Sequence, residues 1–481
     1  MQRGVYEHAA SPYRKLLLHA GIEFGDVRRS VQTLGVEETL GRLYDAGVRL
    51  SSREFKGRVP VRRDGLEFEV RPEDFDNPLL VPQYVGRTGG SRGAGRRVTM
   101  EFTLIEQEAA YVSCMLDAFG LRGRPIILWR AAPPVTAAIN QVLRSAKLGV
   151  AVERWFATGP LVPSMGEARF AVLPLYSAVA SRFGGVPLPM PRYLPLAAAP
   201  RVVRVLADHV AAGRPPLCEV SASLAVHLCR VAREHGMDIA GTFFRLGGEP
   251  FTEAKARALR EAGCVGVAPY STTETGNLAM PCADAAAHDD LHVMTDKVAL
   301  ITRRRAVGEA GRAVDALTLT TLAPACPKLM LNVETDDYGV LERRPCGCPL
   351  GELGFDLHVR QIRSYDKLTS HGVTFLGGDL VELLERALPA RFGGGPTDYQ
   401  FVEHERGGVS EVHLVVGPGV GPVDEGRVIA AVYAFLDGVP GGRIMANEWR
   451  QGGALRVVRR PPYRTAAGKV LSVHVRQEVE S

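Results

Sequence analysis

A parallel or mixed α/β sheet with both faces covered, followed by a smaller α+β unit, is the fold this chain predicts. Three observations carry that expectation. Strand-like and helix-like segments alternate between about residues 125 and 267. The strand-like runs are short, mostly apolar and bounded by Gly or Pro, as strands buried on both faces are. Beyond about Arg363 the order changes to a helix, two alternating strands and another helix.

Taken along the chain, Ser11 to about Gly57 is helical: Tyr13, Leu16, Leu17 and Ile22 recur at helical steps, and Val31, Leu34, Leu40, Leu43 and Tyr44 form a second periodic stretch. A Gly/Arg-rich segment from Tyr84 to Arg97 follows. Pro125 to Trp129 is strand-like, Val135 to Ala146 helix-like and Ala171 to Leu175 a short strand. Ser221 to His235 is a helix stopped by Gly236, Phe243 to Leu246 a strand, Glu253 to Ala262 a helix and Val265 to Val267 a strand. In the tail, Asp379 to Leu388 and Glu425 to Leu436 are helices, and Tyr399 to His404 and Glu411 to Val416 strands. The change of character places a boundary at Arg363–Asp366, dividing the chain into residues 1–362 and 363–481.

Composition excludes whole classes. The 481 residues are 46% apolar and 23% charged, which is globular rather than disordered. No apolar run reaches the roughly 18 residues of a membrane span, and Met1 to His8 has no secretory pattern. A cytoplasmic, soluble protein is expected. The net charge of +5 comes from fifty Arg and eight Lys spread along the chain, so no nucleic-acid partner is implied. Of the eight Cys, Cys114, Cys218, Cys229 and Cys264 lie singly in apolar surroundings and read as buried thiols.

Several motifs could carry chemistry. The loop Thr88-Gly89-Gly90-Ser91-Arg92-Gly93 could wrap phosphate oxygens with N–H groups and hydroxyls. It is neither a Walker loop nor a dinucleotide fingerprint, and a plain surface turn is the competing reading. Leu246-Gly247-Gly248-Glu249-Pro250 stands where a strand gives way to a helix, the end at which α/β sheets bind ligands. Tyr270-Ser271-Thr272-Thr273-Glu274 again follows a strand, and a carboxylate among hydroxyls suits Mg²⁺ held against a phosphate. Asp336-Asp337 could accept from ribose hydroxyls or simply start a turn. Lys469 lies on a Gly-containing loop near the C-terminus.

Together, in this order and spacing, these motifs resemble the adenylate-forming superfamily of acyl-CoA synthetases, adenylation domains and luciferases, and most closely its phenylacetate–CoA ligase branch. The resemblance spans nearly the whole chain, from Ser11-Pro12-Tyr13-Arg14 through Ala232 to Asp238 to Gly372-Val373-Thr374-Phe375. It implies a large N-terminal α/β adenylation domain and a small C-terminal α+β lid. Thr88, Gly89, Gly90, Ser91 and Gly93 would form the phosphate loop, and Gly248, Glu249 and Pro250 the adenine-side strand end. Tyr270 would pack by the adenine, with Thr273 beside it and Glu274 on Mg²⁺. Asp337, or its neighbour Asp336, would hold the ribose. Arg363 and Asp366 would stand at the hinge, and Lys469 would be the lid lysine. Arg92 and Glu334 depart from the pattern, where the family has Thr and Arg.

Two soft ligands after Glu274, Cys282 and His288, and two on the tight turn Cys346-Gly347-Cys348 could close a tetrahedral Zn²⁺ site, with His292 the competing fourth ligand. The resemblance implies such a zinc, structural because four protein ligands leave no open position. It further implies ATP-dependent activation of a carboxylic acid, aryl or arylacetic, as an acyl-adenylate. Transfer to CoA would follow, or to an amine, hydroxyl or carrier-protein acceptor; an inactive nucleotide-binding relative is the reading from another class. Tyr176, Phe183 and Gly184 are candidates for the acid pocket, with a core role the alternative. A homodimer is compatible with all of this.

Overall fold

The computed structural model describes residues 1–81, 84–87, 97–130, 136–158, 185–307, 312–364, 368–370, 373–375, 377–406, 409–439, 446, 449–450, 455–465 and 468–477. Its centre is a six-stranded, wholly parallel sheet built from β1 (Ile126–Arg130), β2 (Val152–Ala157), β3 (Arg192–Tyr193), β4 (Leu217–Val220), β5 (Phe243–Leu246) and β6 (Val265–Val267). Successive residues of β1 point to opposite faces, and both faces are covered. Ile126 and Leu128 join a core with helices Phe102–Ala118 and Thr136–Lys147, whereas Ile127 and Trp129 join one with helices Ala199–Ala211 and Ala222–Glu234. That is why these strands read as continuous apolar runs rather than alternating ones.

The strand order across this sheet is β6-β5-β4-β1-β2-β3. The chain builds outward from β1 to β3, then returns to lay β4 against the other side of β1. The order therefore reverses between β1 and β4, and the crevice beyond their carboxyl ends is where open α/β sheets receive ligands.

A second, seven-stranded antiparallel sheet follows, from Tyr270–Thr272 through the long strands Val298–Val307, Arg312–Thr321, Val333–Arg343 and Leu357–Ser364. The N-terminal helices Pro12–His19 and Val36–Asp45 pack against it through Leu16, Leu17, Leu40 and Leu43. A third core gathers residues from Leu380 to Val457 around a four-stranded mixed sheet: Tyr399–Arg406, Val409–Val416, Leu455–Arg459 and Val473–Gln477. The mixed α/β class expected from the sequence is the class observed.

Strands β1, β5 and β6 and the helices Thr136–Lys147, Ala222–Glu234 and Glu253–Glu261 fall where the sequence places them, whereas β2, β3, β4 and the helix Ala199–Ala211 are not foreseen there. The helix read as Asp379 to Leu388 is a longer helical run, Gly377–Val381, Glu382–Ala387 with π geometry, then Leu388–Phe392. Cys218, Cys229 and Cys264 are buried, but Cys114 is only half-buried, packed at the edge of the core that holds Ile126 and Leu128. The strand expected over Ala171 to Leu175 lies outside the described residues. Among the described residues no helix is long and apolar enough to cross a membrane.

Candidate active site and a thiol cluster

At the carboxyl end of β5 the chain turns through Gly247 and Gly248 into helix Glu253–Glu261. Gly248 holds φ +83, a left-handed conformation that glycine adopts without a Cβ penalty. There is a second reason for glycine here: a Cβ would collide with the Cε and Nζ of Lys469. The loop that carries the lysine is tight. The Gly468 N–H donates to the Thr465 carbonyl at 2.7 Å, the Lys469 N–H to the Thr465 hydroxyl at 3.1 Å, and the Thr465 N–H back to the Lys469 carbonyl at 2.9 Å. Gly468, also left-handed at φ +76, lets the loop lie directly on Leu224. A lysine some 220 residues downstream is thus laid on the strand-end turn.

Beside the turn, a pocket of about 210 Å³, open to solvent, is lined by Gly248, Glu249, Pro250, Tyr270, Asp337 and Arg363, among others. Asp337 accepts from the Tyr270 hydroxyl at 2.9 Å and from the Ser364 hydroxyl. Burial, and then the Asp337 charge, push the Tyr270 phenol far above its ordinary range, so it stays a donor. Asp336 has φ +63, and its carboxylate faces Lys56 at 3.4 Å rather than the pocket. Of the two adjacent aspartates, Asp337 is the one that lines the pocket. Arg363 lies 3.5 Å from Asp289 on the same wall.

Glu249 lines the pocket, but its carboxylate is engaged. It caps helix Ala222–Glu234, accepting from the Ser223 N–H at 2.8 Å and the Ser223 hydroxyl at 2.6 Å. Lys255 reaches from the following helix, 3.8 Å from Glu249 and 3.1 Å from Glu385, which also accepts from the Thr252 hydroxyl. Burial opposes the lysine's charge, yet the two glutamates outweigh it and raise its pKa. This cluster, with an Arg230–Asp398 pair at 3.0 Å, ties the C-terminal segment to the strand-end turn.

Glu274 stands on the hairpin turn before strand Gly276–Pro281, half-buried beside Thr273, its carboxylate without a hydrogen bond or ion pair among the described residues. The turn is braced from below by Glu108, fully buried between Arg144 at 2.6 Å and Lys297 at 3.1 Å. The Glu108 carboxylate presses on Gly276, whose φ is +74. Gly276→Ala is expected to cost about 3 kcal/mol or more, from left-handed strain of roughly 1–2 kcal/mol plus displacement of a buried charge from its partners. Chemical denaturation beside Gly354→Ala, where a Cβ meets nothing, checks this: equal losses would show that only the backbone matters.

The thiols expected to bind metal do come together, with one change. Cys282, Cys346 and Cys348 converge with His292, their ligand atoms all within 4.8 Å of one another. Cys282 Sγ is 3.3 Å from Cys346 Sγ, and His292 Nε2 is 3.0 Å from Cys348 Sγ. The other ring nitrogen, Nδ1, lies 2.6 Å from the Phe355 carbonyl, which fixes the tautomer that turns the Nε2 lone pair to the thiols. Burial lowers the His292 pKa to about 4, so the ring is neutral, as a ligand must be. Burial works against a thiolate at Cys348, but the Gly351 N–H, the Cys346 thiol and further N–H groups lower its pKa. One imidazole, oriented by the Phe355 carbonyl, and three sulfurs match the donor set of structural zinc.

His288 does not belong to this cluster. It lies 3.1 Å from the Phe251 carbonyl and 3.1 Å from Glu253, packed edge-on against Phe251. The reason is local. His292 lies on the apolar strand Leu291–Val293 and points into the protein, whereas His288 precedes Asp289 and Asp290 on the polar turn before it. An inward-facing histidine in an apolar strand was the available signal. Thr88, Gly89, Gly90, Ser91, Gly93, Tyr176, Phe183, Gly184 and Asp366 lie outside the described residues. Lys255, Glu385 and Glu108 carry no motif and were not singled out from the sequence.

No protein-family model matches this chain, and no curated protein sequence matches it. Solved structures do. A 2-hydroxyisobutyryl-CoA ligase in its postadenylation state, in complex with R3-HIB-AMP, aligns over 99% of this chain and 87% of its own, with a TM-score of 0.58 and 16% identity. The same enzyme with 2-HIB-AMP gives 0.57 at 16% identity over 99% and 87%. Its open conformation with 2-HIB-AMP and CoA gives 0.50 at 16% identity over 98% and 88%. The likeness at this identity is one of fold, and the fold is that of the AMP-forming ligases.

Proposed function

We propose that this chain is an ATP-dependent, AMP-forming acid ligase. The observation that carries the reading is Lys469 lying on Gly248 at the mouth of the pocket walled by Tyr270, Asp337 and Arg363. The pocket has a ribose-type acceptor in Asp337, an aromatic wall in Tyr270 and an uncommitted carboxylate nearby in Glu274. A carboxylate substrate would attack the α-phosphorus of ATP, forming the acyl–oxygen–phosphorus linkage as the bond to pyrophosphate breaks. A thiol, amine or hydroxyl would then attack the acyl carbon and release AMP.

Catalysis of the first step is positioning and charge neutralisation. Tyr270, Asp337 and Arg363 would orient the nucleoside, and Lys469 would meet the charge that develops on the α-phosphate. Mg²⁺ held by Glu274 would supply further neutralisation. Thr88, Gly89, Gly90, Ser91 and Gly93 would add backbone donors. Residues 363–481 would act as a lid on the core of residues 1–362, turning about Asp366 between the two half-reactions. Cys282, His292, Cys346 and Cys348 would hold a structural zinc.

CoA is the acceptor favoured by the fold neighbour whose complex contains it; an amine, hydroxyl or carrier-protein acceptor is the alternative. For the acid, an aryl or arylacetic skeleton is supported by the sequence's likeness to the phenylacetate–CoA ligase branch. The test is acid-dependent pyrophosphate release from ATP–Mg²⁺ with a panel of aryl, arylacetic and amino-aryl acids, each with CoA, an amine or no acceptor. Turnover with an acid, accelerated by one acceptor, is the expected result. Nucleotide binding with no acid-dependent release across the panel would overturn the ligase reading.

A further inference from the structure

Arg130 ends β1, at the point where the strand order of the parallel sheet reverses. Its Nη2 spans the crevice, donating to the Val220 carbonyl at the end of β4 at 3.1 Å and to the Arg245 carbonyl in β5 at 3.4 Å. The guanidinium faces Gly247: a Cβ there would sit 3.2 Å from Nη2 and 3.3 Å from Nη1. The remaining donors are unfilled. Nε is buried with no acceptor, and Nη1 makes no hydrogen bond among the described residues.

The surroundings neutralise this charge only in part. Glu219 acts on it, but that carboxylate is shared: its Oε2 is bound by Arg245 at 3.2 Å while its Oε1 is buried with no hydrogen bond, and Arg245 also takes Gln141 at 2.7 Å. Arg144 is consumed by Glu108. Burial lowers the Arg130 pKa to about 10, with Glu219 working the other way and Arg245 and Arg144 adding to the fall, so the group is still a cation at neutral pH. The segments that follow β1 and β2 in the chain, residues 131–135 and 159–184, contain one acidic residue, Glu167, against Arg169 and Arg182. A half-buried guanidinium whose Nε is sealed off without an acceptor is costly, and a strand-order reversal is where a ligand could supply a partner.

Its place relative to the chemistry narrows the ligand. Arg130 lies against Gly247 and Lys469 against Gly248, so the two cations flank consecutive glycines and stand within about 12 Å of each other. The carboxylate that reacts loses its charge when it becomes an acyl-adenylate. An arginine gripping that carboxylate would stabilise the ground state over the transition state and oppose the step. A second anionic group on the same acid keeps its charge through both half-reactions. Building on the ligase reading above, we propose that the acid activated here carries a second, non-reacting carboxylate, and that Arg130 binds it from the floor of the crevice.

The test compares matched acids, phenylacetate with 4-carboxyphenylacetate and butyrate with succinate, in pyrophosphate release. Direct calorimetric titration of each acid without ATP accompanies it, on the full-length protein and its Arg130→Gln and Arg130→Lys variants. The diacid of at least one pair is expected to be preferred in kcat/KM by roughly 10- to 100-fold, the range of charge-assisted hydrogen bonds. Arg130→Gln should abolish that preference while leaving the monoacid within about twofold. Should Arg130→Gln not fold, Arg130→Lys, which keeps the charge, should retain part of the preference. A monoacid preference in both pairs, or equal losses for monoacid and diacid, overturns the proposal. If no acid drives release but Arg130-dependent diacid binding is seen, the ligase reading falls and the anion site stands. If titration shows no diacid binding, the site falls too.

Discussion

Lys469→Ala is expected to slow acid-dependent pyrophosphate release by about 10²- to 10³-fold, the loss measured when one preorganised donor to a developing charge is removed. Nucleotide affinity should change little, because Tyr270, Asp337 and Arg363 lie on walls that Lys469 does not build. The second half-reaction, started from a chemically prepared acyl-adenylate, should proceed at close to the wild-type rate. That split separates a group serving one transition state from one holding the fold. Gly248→Ala should reproduce the defect with the lysine still present, since the new methyl group takes the space of Lys469 Nζ and strains a φ of +83. Pyrophosphate release within tenfold of wild type in Lys469→Ala would mean that its placement on Gly248 has no catalytic meaning.

The second large effect is on stability. The protein purified without chelators is expected to carry one zinc, and Cys348→Ser and His292→Ala to carry none, whereas His288→Ala keeps it. Structural zinc binds with an apparent ~10–16 kcal/mol at neutral pH. Losing even about 5 kcal/mol of that should lower the first thermal transition by roughly 10 °C or more. Elemental analysis with thermal scans of the three variants decides it. Full zinc in His292→Ala would sink the assignment, and so would metal loss in His288→Ala alone.

Half of the parallel sheet was legible because strands buried on both faces leave unbroken apolar runs, as Ile126 to Trp129 does, whereas Val152–Ala157, Arg192–Tyr193 and Leu217–Val220, with charged residues among them, were not. The antiparallel sheet was harder to read. Val298–Val307 contains three consecutive arginines, whose faces are decided by partners across the sheet rather than by a period-two pattern. Candidate residues with a motif around them, such as Gly248, Tyr270, Asp337 and Lys469, could be singled out from order and spacing. Those that act through distant partners were not. Arg130 becomes conspicuous only when Val220 and Gly247 are brought to it, and Lys255 only when Glu385 is. The choice between His288 and His292 turned on one lying in the turn and the other facing inward from the strand Leu291–Val293, a placement that four residues of spacing leave open.

Lys255 sits between Glu249, on the turn that borders the pocket, and Glu385, far along the C-terminal segment. One ammonium is therefore shared by the two parts, and what one glutamate loses the other gains. Under the ligase reading this makes lid position and pocket affinity two faces of a single coupling free energy, reciprocal by thermodynamic necessity. Whatever factor by which bound AMP favours one lid position, that lid position favours AMP by the same factor. Glu385→Gln would then do more than loosen the lid: it would change how readily the spent nucleotide leaves.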